Sequence, residues 1–286
     1  MNREKTQDFL NELPRMREDL PFSPAVLKEL FVQTGVNSMS SLEQVGDTLT
    51  HDQGLATRIL SLANSAYYGL QADVKSVQRA AAVLGMAEIR NIVLALGVNG
   101  LTKNYDMPED FDLTEYWRHQ FLVAMIAKEL SRMREVGKPD NMFTVGLLHD
   151  IGKLITAMRR PDDWVAIQEL AESDNLTPAE AEDEYWGLDH AIVGALVLKS
   201  WDLPADLVEP VNWHHAPDLS PEHSNEATIV CLADTAAIAV ENPEGPFVAR
   251  VEIMCEEMEM DAEEVLETAE ELLESEDVEQ FIRHLS

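Results

Sequence analysis

No stretch of this chain alternates polar and apolar residues with a period of two, whereas helix start and stop signals recur along its whole length. A half-buried strand needs that alternation, and a half-buried helix needs apolar residues three and four apart. The pattern therefore predicts an all-α fold. Ser23-Pro24 reads as an N-cap and first helical residue, and Ser40 and Glu43 have capping-box spacing. Asp52 and Ser76 are further N-cap candidates, and Gly85 closes the helix that Ser76 opens. Residues 86–98 and 226–240 are apolar nearly all round, the pattern of helices buried on every side.

Residues 1–100 read as about five short helices. The polar segment 101–112, with Pro108, reads as a connection. A second helical set follows: a long helix over 113–133, a turn at 137–141, and one unbroken helix over 142–154. Asp162 or Asp163 then starts a helix, Thr177-Pro178 starts one that runs to Tyr185, 190–201 forms another, and one runs from Leu203-Pro204 to Pro217. Asn242-Pro243-Glu244-Gly245-Pro246 interrupts the chain before an acidic tail. The expected division is 1–106, 107–241 and a helical extension at 247–286.

Asp and Glu total 53 against 21 Lys and Arg, a formal net charge of −32. Such a surface repels phosphate backbones and anionic lipid, so neither nucleic acid nor a membrane is an expected partner. Cationic partners or simple solubility fit it better. Cys231 and Cys255 have neither metal-ligand spacing nor a disulfide framework. With no apolar segment near the N-terminus and no run long enough for a bilayer, a cytoplasmic protein is expected. Residues 252–279 carry 14 acidic side chains and no basic one; the simplest reading is amphipathic helices with a solvated acidic face, and docking of a basic partner is the sharper one.

The chemistry lies in polar residues placed where helices are otherwise apolar. His119, His149, His190, His214 and His215 are of this kind, as are Asp150 and Asp234. An aspartate inside an apolar helix needs a buried partner. A single buried histidine is more often a hydrogen-bonded core residue than a ligand. Seven such residues on several helices point instead to a metal site built inward from facing helices. Imidazole with carboxylate suits iron, manganese, zinc or nickel, as one ion or two.

The order His119, then His149-Asp150, then Asp234 resembles the H…HD…D pattern of the HD-superfamily metal-dependent phosphohydrolases. His149-Asp150-Ile151-Gly152-Lys153 and the run around His190 are similar to the HD-GYP branch, which hydrolyses cyclic dinucleotides. This resemblance implies that His119, His149, Asp150 and Asp234 hold one metal. His190, His214 and His215 would complete a second, bridged by Asp150, with Lys153 facing a substrate phosphate. The pattern departs after His215, where Ala216-Pro217-Asp218 stands in place of a glutamate and a Gly-Tyr-Pro loop. Ala63-Asn64-Ser65-Ala66-Tyr67-Tyr68-Gly69 and Leu84-Gly85 before an apolar helix resemble the HDOD (HD-related output domain) family over roughly residues 12–240. That family is mostly regarded as non-catalytic and regulatory in bacterial signalling.

Three readings follow from the resemblance. One is a regulatory module that acts on a signalling protein or a small anionic ligand, with self-association left open. Another is an active phosphohydrolase in which Asp150 and Lys153 serve the reaction. The third is a metal held for structure or for sensing. Asn64 most simply bonds backbone, and Tyr67 and Tyr68 most simply pack. Arg58 and Arg90 each suit a buried carboxylate or an anionic ligand.

Overall fold

The computed structural model describes residues 3–19, 24–34, 38–50, 52–64, 68 and 73–285, and among these there are helices and no strands. Ser23, Ser65, Tyr67 and Gly69 lie outside the described residues. The chain begins with α1 (Arg3–Glu12) and a 3-10 turn over Leu13–Asp19. A group of five helices follows: α2 (Pro24–Thr34), α3 (Leu42–Thr50), α4 (Gln53–Ala63), α5 (Val77–Leu84) and α6 (Met86–Leu101).

Local caps set most of these boundaries. Asp52 accepts from the Leu55 amide, and Ser76 accepts from the Arg79 amide. Gly85 joins α5 to α6 at φ 91°, a value a β-carbon disfavours. The capping box expected at Ser40 and Glu43 forms one residue later. The Gln44 amide donates to Ser41 Oγ at 3.2 Å, and the Ser41 amide donates to Gln44 Oε1 at 2.7 Å. The Ser40 amide already donates to Ser38 Oγ, so it is not available to a box.

The second group comprises α7 (Leu113–Arg134), α8 (Pro139–Leu148), α9 (Ile151–Arg159), α10 (Pro161–Asp174), α11 (Pro178–Trp186), α12 (His190–Ser200), α13 (Ala205–Trp213) and α14 (Ser224–Glu241). Thr177 opens α11 with a full capping box to Glu180. The helix near Asp162 starts at Pro161, with both aspartates in its first turn, where negative charge suits the helix dipole. The unbroken helix expected over 142–154 is two helices. The turn between them is His149-Asp150, with Asp150 at φ −100°, ψ 16°.

Helix α6 is buried along nearly its whole length and packs against α2, α4, α5 and α8, so it joins the two groups. Three polar contacts fix that junction. Arg90 Nη2 donates to Asn141 Oδ1 at 3.0 Å, the Thr144 hydroxyl donates to Asn91 Oδ1 at 2.6 Å, and Trp117 Nε1 donates to Asn99 Oδ1 at 3.0 Å. Arg90 thus binds an amide where a carboxylate or ligand was expected, with Phe31 against its guanidinium. Arg58 is exposed on α4. Asn64 bonds backbone, its amide donating to the Leu60 and Val74 carbonyls while its Oδ1 accepts from the Val74 amide.

The first helix packs on the second group: Phe9 stacks on Trp186 with ring centroids 5.0 Å apart. At the other end of the chain are α15 (Phe247–Glu257), α16 (Ala262–Glu274) and α17 (Glu276–Leu285). They pack on α14 and α7, and Phe281 stacks on Phe121 at 4.0 Å. The 14 acidic side chains between 252 and 279 are all exposed, while Val251, Val265, Ala269 and Val278 point inward. No single described helix is long and apolar enough to cross a membrane. Helices α5 and α6 together have the length, but they meet at 118°.

Candidate metal centre

Five elements deliver the seven polar residues to one place. His119 projects from the middle of α7, and His149 and Asp150 form the turn between α8 and α9. His190 is the first residue of α12, His214 and His215 follow the last residue of α13, and Asp234 projects from α14. Two glycines allow the approach. A β-carbon on Gly146 would lie 2.7 Å from Ala124 Cα, and one on Gly152 would lie 1.9 Å from the His190 carbonyl oxygen. Helices α8 and α9 therefore rest with bare backbone against α7 and α12, bringing His149 toward His119 and Asp150 toward His190.

Asp150 divides the cluster in two. Its Oδ2 lies 3.4 Å from His149 Nε2 and 3.8 Å from His119 Nε2. Its Oδ1 lies 2.9 Å from His190 Nε2 and 3.9 Å from His214 Nε2. Asp234 Oδ1 joins the first set, 3.1 Å from His119 Nε2 and 3.7 Å from His149 Nε2. His215 joins the second, its Nε2 2.7 Å from His190 Nε2. The ligand atoms of His119, His149 and Asp150 all lie within 4.8 Å of one another, and so do those of Asp150, His190, His214 and His215. His149, Asp150, His190 and His214 are buried. His215 is exposed at its outer edge, with its ring packed on His214 and His190.

The donor set fits a metal. His149 Nδ1 donates to the Gly146 carbonyl at 2.8 Å, and His214 Nδ1 donates to the Val211 carbonyl at 2.7 Å. A carbonyl only accepts, so each Nδ1 carries the hydrogen and each Nε2 is left to face the cluster. Both Nε2 atoms are buried with no hydrogen-bond partner. Asp150 Oδ1 has none either, although His190 Nε2 is close to it. An orphaned buried polar atom costs about 1–3 kcal/mol, and a cation among these atoms removes that cost.

The charges without metal lead to the same place. Burial alone would lower the His149 pKa, but Asp150 and Asp234 outweigh it and hold the ring at about 10. Burial likewise opposes a charge on His190, which Glu182 and Asp150 raise to about 9. Burial and the neighbouring imidazolium rings push His214 down to about 3, and they also lower His215. Two protons thus occupy the cluster at neutral pH, where metal ions would replace them. The stability that His149 and His190 contribute is full below the unfolded value near 6.5 and is lost as pH rises through about 9 and 10. Metal-free protein should therefore show a falling Tm between pH 7 and 10, and saturating divalent metal should flatten that decline. Calorimetry at several pH values checks both.

One functional side chain had no visible signal in the sequence. Glu182 is buried in α11, and its Oε2 accepts from both the amide and Nδ1 of His190, at 2.6 and 2.7 Å. It orients His190 so that Nε2 faces Asp150, the arrangement that metal-binding histidines use. Glu182→Gln is expected to weaken metal affinity about 10-fold without unfolding the protein, since losing such a partner costs roughly 10–100-fold. Metal titration by calorimetry reads this directly.

A cavity of about 320 Å³ opens on the cluster. His190, His215, Asp234, Lys153 and Thr235 line one side, the start of α11 another, and Phe247 and Arg250 of α15 a third. Lys153 reaches the cluster as well as the cavity: its Nζ donates to Asp150 Oδ2 at 2.6 Å.

The sequence profile of the HDOD domain matches residues 20–217. The chain belongs to the HDOD family. Similar solved structures agree with the fold. A candidate phosphohydrolase of Shewanella amazonensis SB2B is 27% identical with a TM-score of 0.74, covering 96% of this chain and 98% of that one. A candidate signal transduction protein of Marinobacter aquaeolei VT8 is 20% identical with a TM-score of 0.79, covering all of this HDOD chain and 66% of that one. An HDOD domain protein of unknown function from Geobacter sulfurreducens is 22% identical with a TM-score of 0.66, covering 93% and 98%. An uncharacterized protein of Treponema pallidum (strain Nichols) is 22% identical over 206 residues, 72% of this chain. The chain thus spans only 39% of that curated relative's length. Asp234 and all of α15 lie beyond the stretch matched by the HDOD profile.

Proposed function

We propose that this HDOD protein is a regulatory module whose centre binds divalent metal and, through it, an anionic ligand. One observation carries the metal: three histidines have Nδ1 tied to a carbonyl or carboxylate and Nε2 facing the shared aspartate. His119, His149, Asp150 and Asp234 would hold one ion, and Asp150, His190, His214 and His215 a second. When bound, the ions supply Lewis acidity toward a phosphoryl oxygen. The chain's own residues do the rest. Glu182 fixes the His190 ring, and Lys153 brings a positive charge to the edge of the cavity. His149 and His214 sit at the C-terminal ends of α8 and α13. The opposite ends of those helices carry Asn141 and Asp206, which bond each other at 3.0 Å. Asn141 also takes the hydrogen bond from Arg90 on α6, so a shift of either histidine on ligand binding would have a connected route through α8 or α13 to the first helical group.

A second reading, metal-dependent phosphohydrolysis, is favoured by the cavity that reaches His190, His215 and Asp234 from outside. Turnover assays on manganese- and iron-loaded protein separate the two readings, with cyclic dinucleotides, nucleoside phosphates and phosphorylated guanosines as substrates. Uniform inactivity with metal bound is the expected result. Turnover lost in the His149→Ala variant would instead establish the hydrolase.

A further inference from the structure

We propose that Arg250, on the C-terminal extension, is a ligand-binding residue of the centre, gripping the oxyanion of an organic phosphate ester whose organic part rests on Phe247 and Ile238. The inference rests on the metal reading above and goes further, naming a ligand class and a residue outside the stretch that the HDOD profile matches. Arg250 lines the cavity together with Lys153, His215 and Asp234. Its positive charge acts on the thiol of Cys231, another lining residue, while the side chain itself is exposed at the edge of the cavity. In a chain with 53 acidic residues, no carboxylate among the described residues pairs with it. An arginine held at a cavity wall without a counter-ion is a fork of donors shaped for a tetrahedral oxyanion.

The rest of the cavity agrees with that class. Lys153 offers the second positive charge, and it is already anchored to Asp150. Glu180, the acidic residue on the α11 side, is committed to Thr177, whose amide and hydroxyl both donate to its Oε2 at 2.8 Å. Phe247 and Ile238 supply an apolar wall, and about 320 Å³ has room for more than inorganic phosphate alone. The extension is held in place by the main core, with Val251 and Cys255 buried one and five residues beyond Arg250. Arg250 therefore sits on a rigid helix, where a binding residue works best.

The test uses the full chain loaded with manganese, its metal content measured on the same samples, and calorimetric titration with inorganic phosphate and phenyl phosphate. Phenyl phosphate should bind more tightly than phosphate. Arg250→Ala should weaken both by 10-fold or more with metal content and Tm unchanged, and Arg250→Lys should recover part of the loss. Phe247→Ala should weaken phenyl phosphate several-fold and leave inorganic phosphate alone. Full metal occupancy with no binding of either probe, or binding indifferent to Arg250→Ala, overturns this inference and leaves the metal reading standing. Absence of metal overturns the metal reading, and the same titrations on that protein still decide the role of Arg250: binding that depends on it supports the inference, and no such dependence refutes it.

Discussion

Asp150→Asn should empty both halves of the centre at once. Asp150 presents one oxygen to His119 and His149 and the other to His190 and His214, so no other side chain belongs to both sets. Asparagine keeps the shape but gives up the negative charge and one acceptor oxygen. A four-ligand site worth about 10–16 kcal/mol implies a few kcal/mol per ligand, so the loss should be at least about 100-fold in affinity for each ion. The variant also removes one of the charges that hold protons on His149 and His190, so both rings should titrate lower in the metal-free state, with Asp234 and Glu182 still opposing burial. Metal titration and the histidine ring signals in NMR check the two halves of this expectation. Asp234→Asn should differ, weakening only the ion near His119 and His149, because its Oδ1 approaches those two rings.

Gly152→Ala should be the most damaging single methyl in the second helical group. The added carbon would meet the His190 carbonyl oxygen at 1.9 Å, the carbonyl carbon at 2.7 Å and Cα at 2.9 Å, all backbone atoms. No side-chain rotation relieves that overlap, so α9 and α12 must part. Overpacking of a rigid core costs roughly 1–3 kcal/mol and more where backbone must move, and the upper end applies here. At about 2–4 °C per kcal/mol for a chain of this size, Tm should fall by roughly 6–12 °C. His190 rides on the displaced backbone, so metal affinity should fall with it. Thermal melts with and without manganese check this: the metal-induced rise in Tm should shrink along with the Tm itself.

What could be read from the sequence was local or categorical. Asp52, Ser76 and Thr177 cap helices because each meets a free amide three residues on, and that needs no tertiary information. The seven cluster residues stood out because a histidine or aspartate in an apolar helix has to be satisfied from elsewhere. The turn at His149-Asp150 was hidden, since apolar residues continue on both sides of it and the periodicity shows no break. Glu182 was hidden for the opposite reason: it sits among Glu180, Asp183 and Glu184, and only its hydrogen bonds to His190 at the start of α12 single it out. The extension could be read as amphipathic helices with an acidic outer face. Which surface it covers depends on Phe281 meeting Phe121 and on α15 reaching the cavity, contacts between residues far apart in the chain.

A metal should face the unpartnered Nε2 atoms of His149 and His214. Crystals of protein prepared without chelator and measured at the absorption edges of iron, manganese, zinc and nickel test it directly. Anomalous peaks are expected on both sides of Asp150, within about 2.0–2.3 Å of the Nε2 atoms. Ordered water on those nitrogens, with no anomalous peak even after a manganese soak, would contradict it.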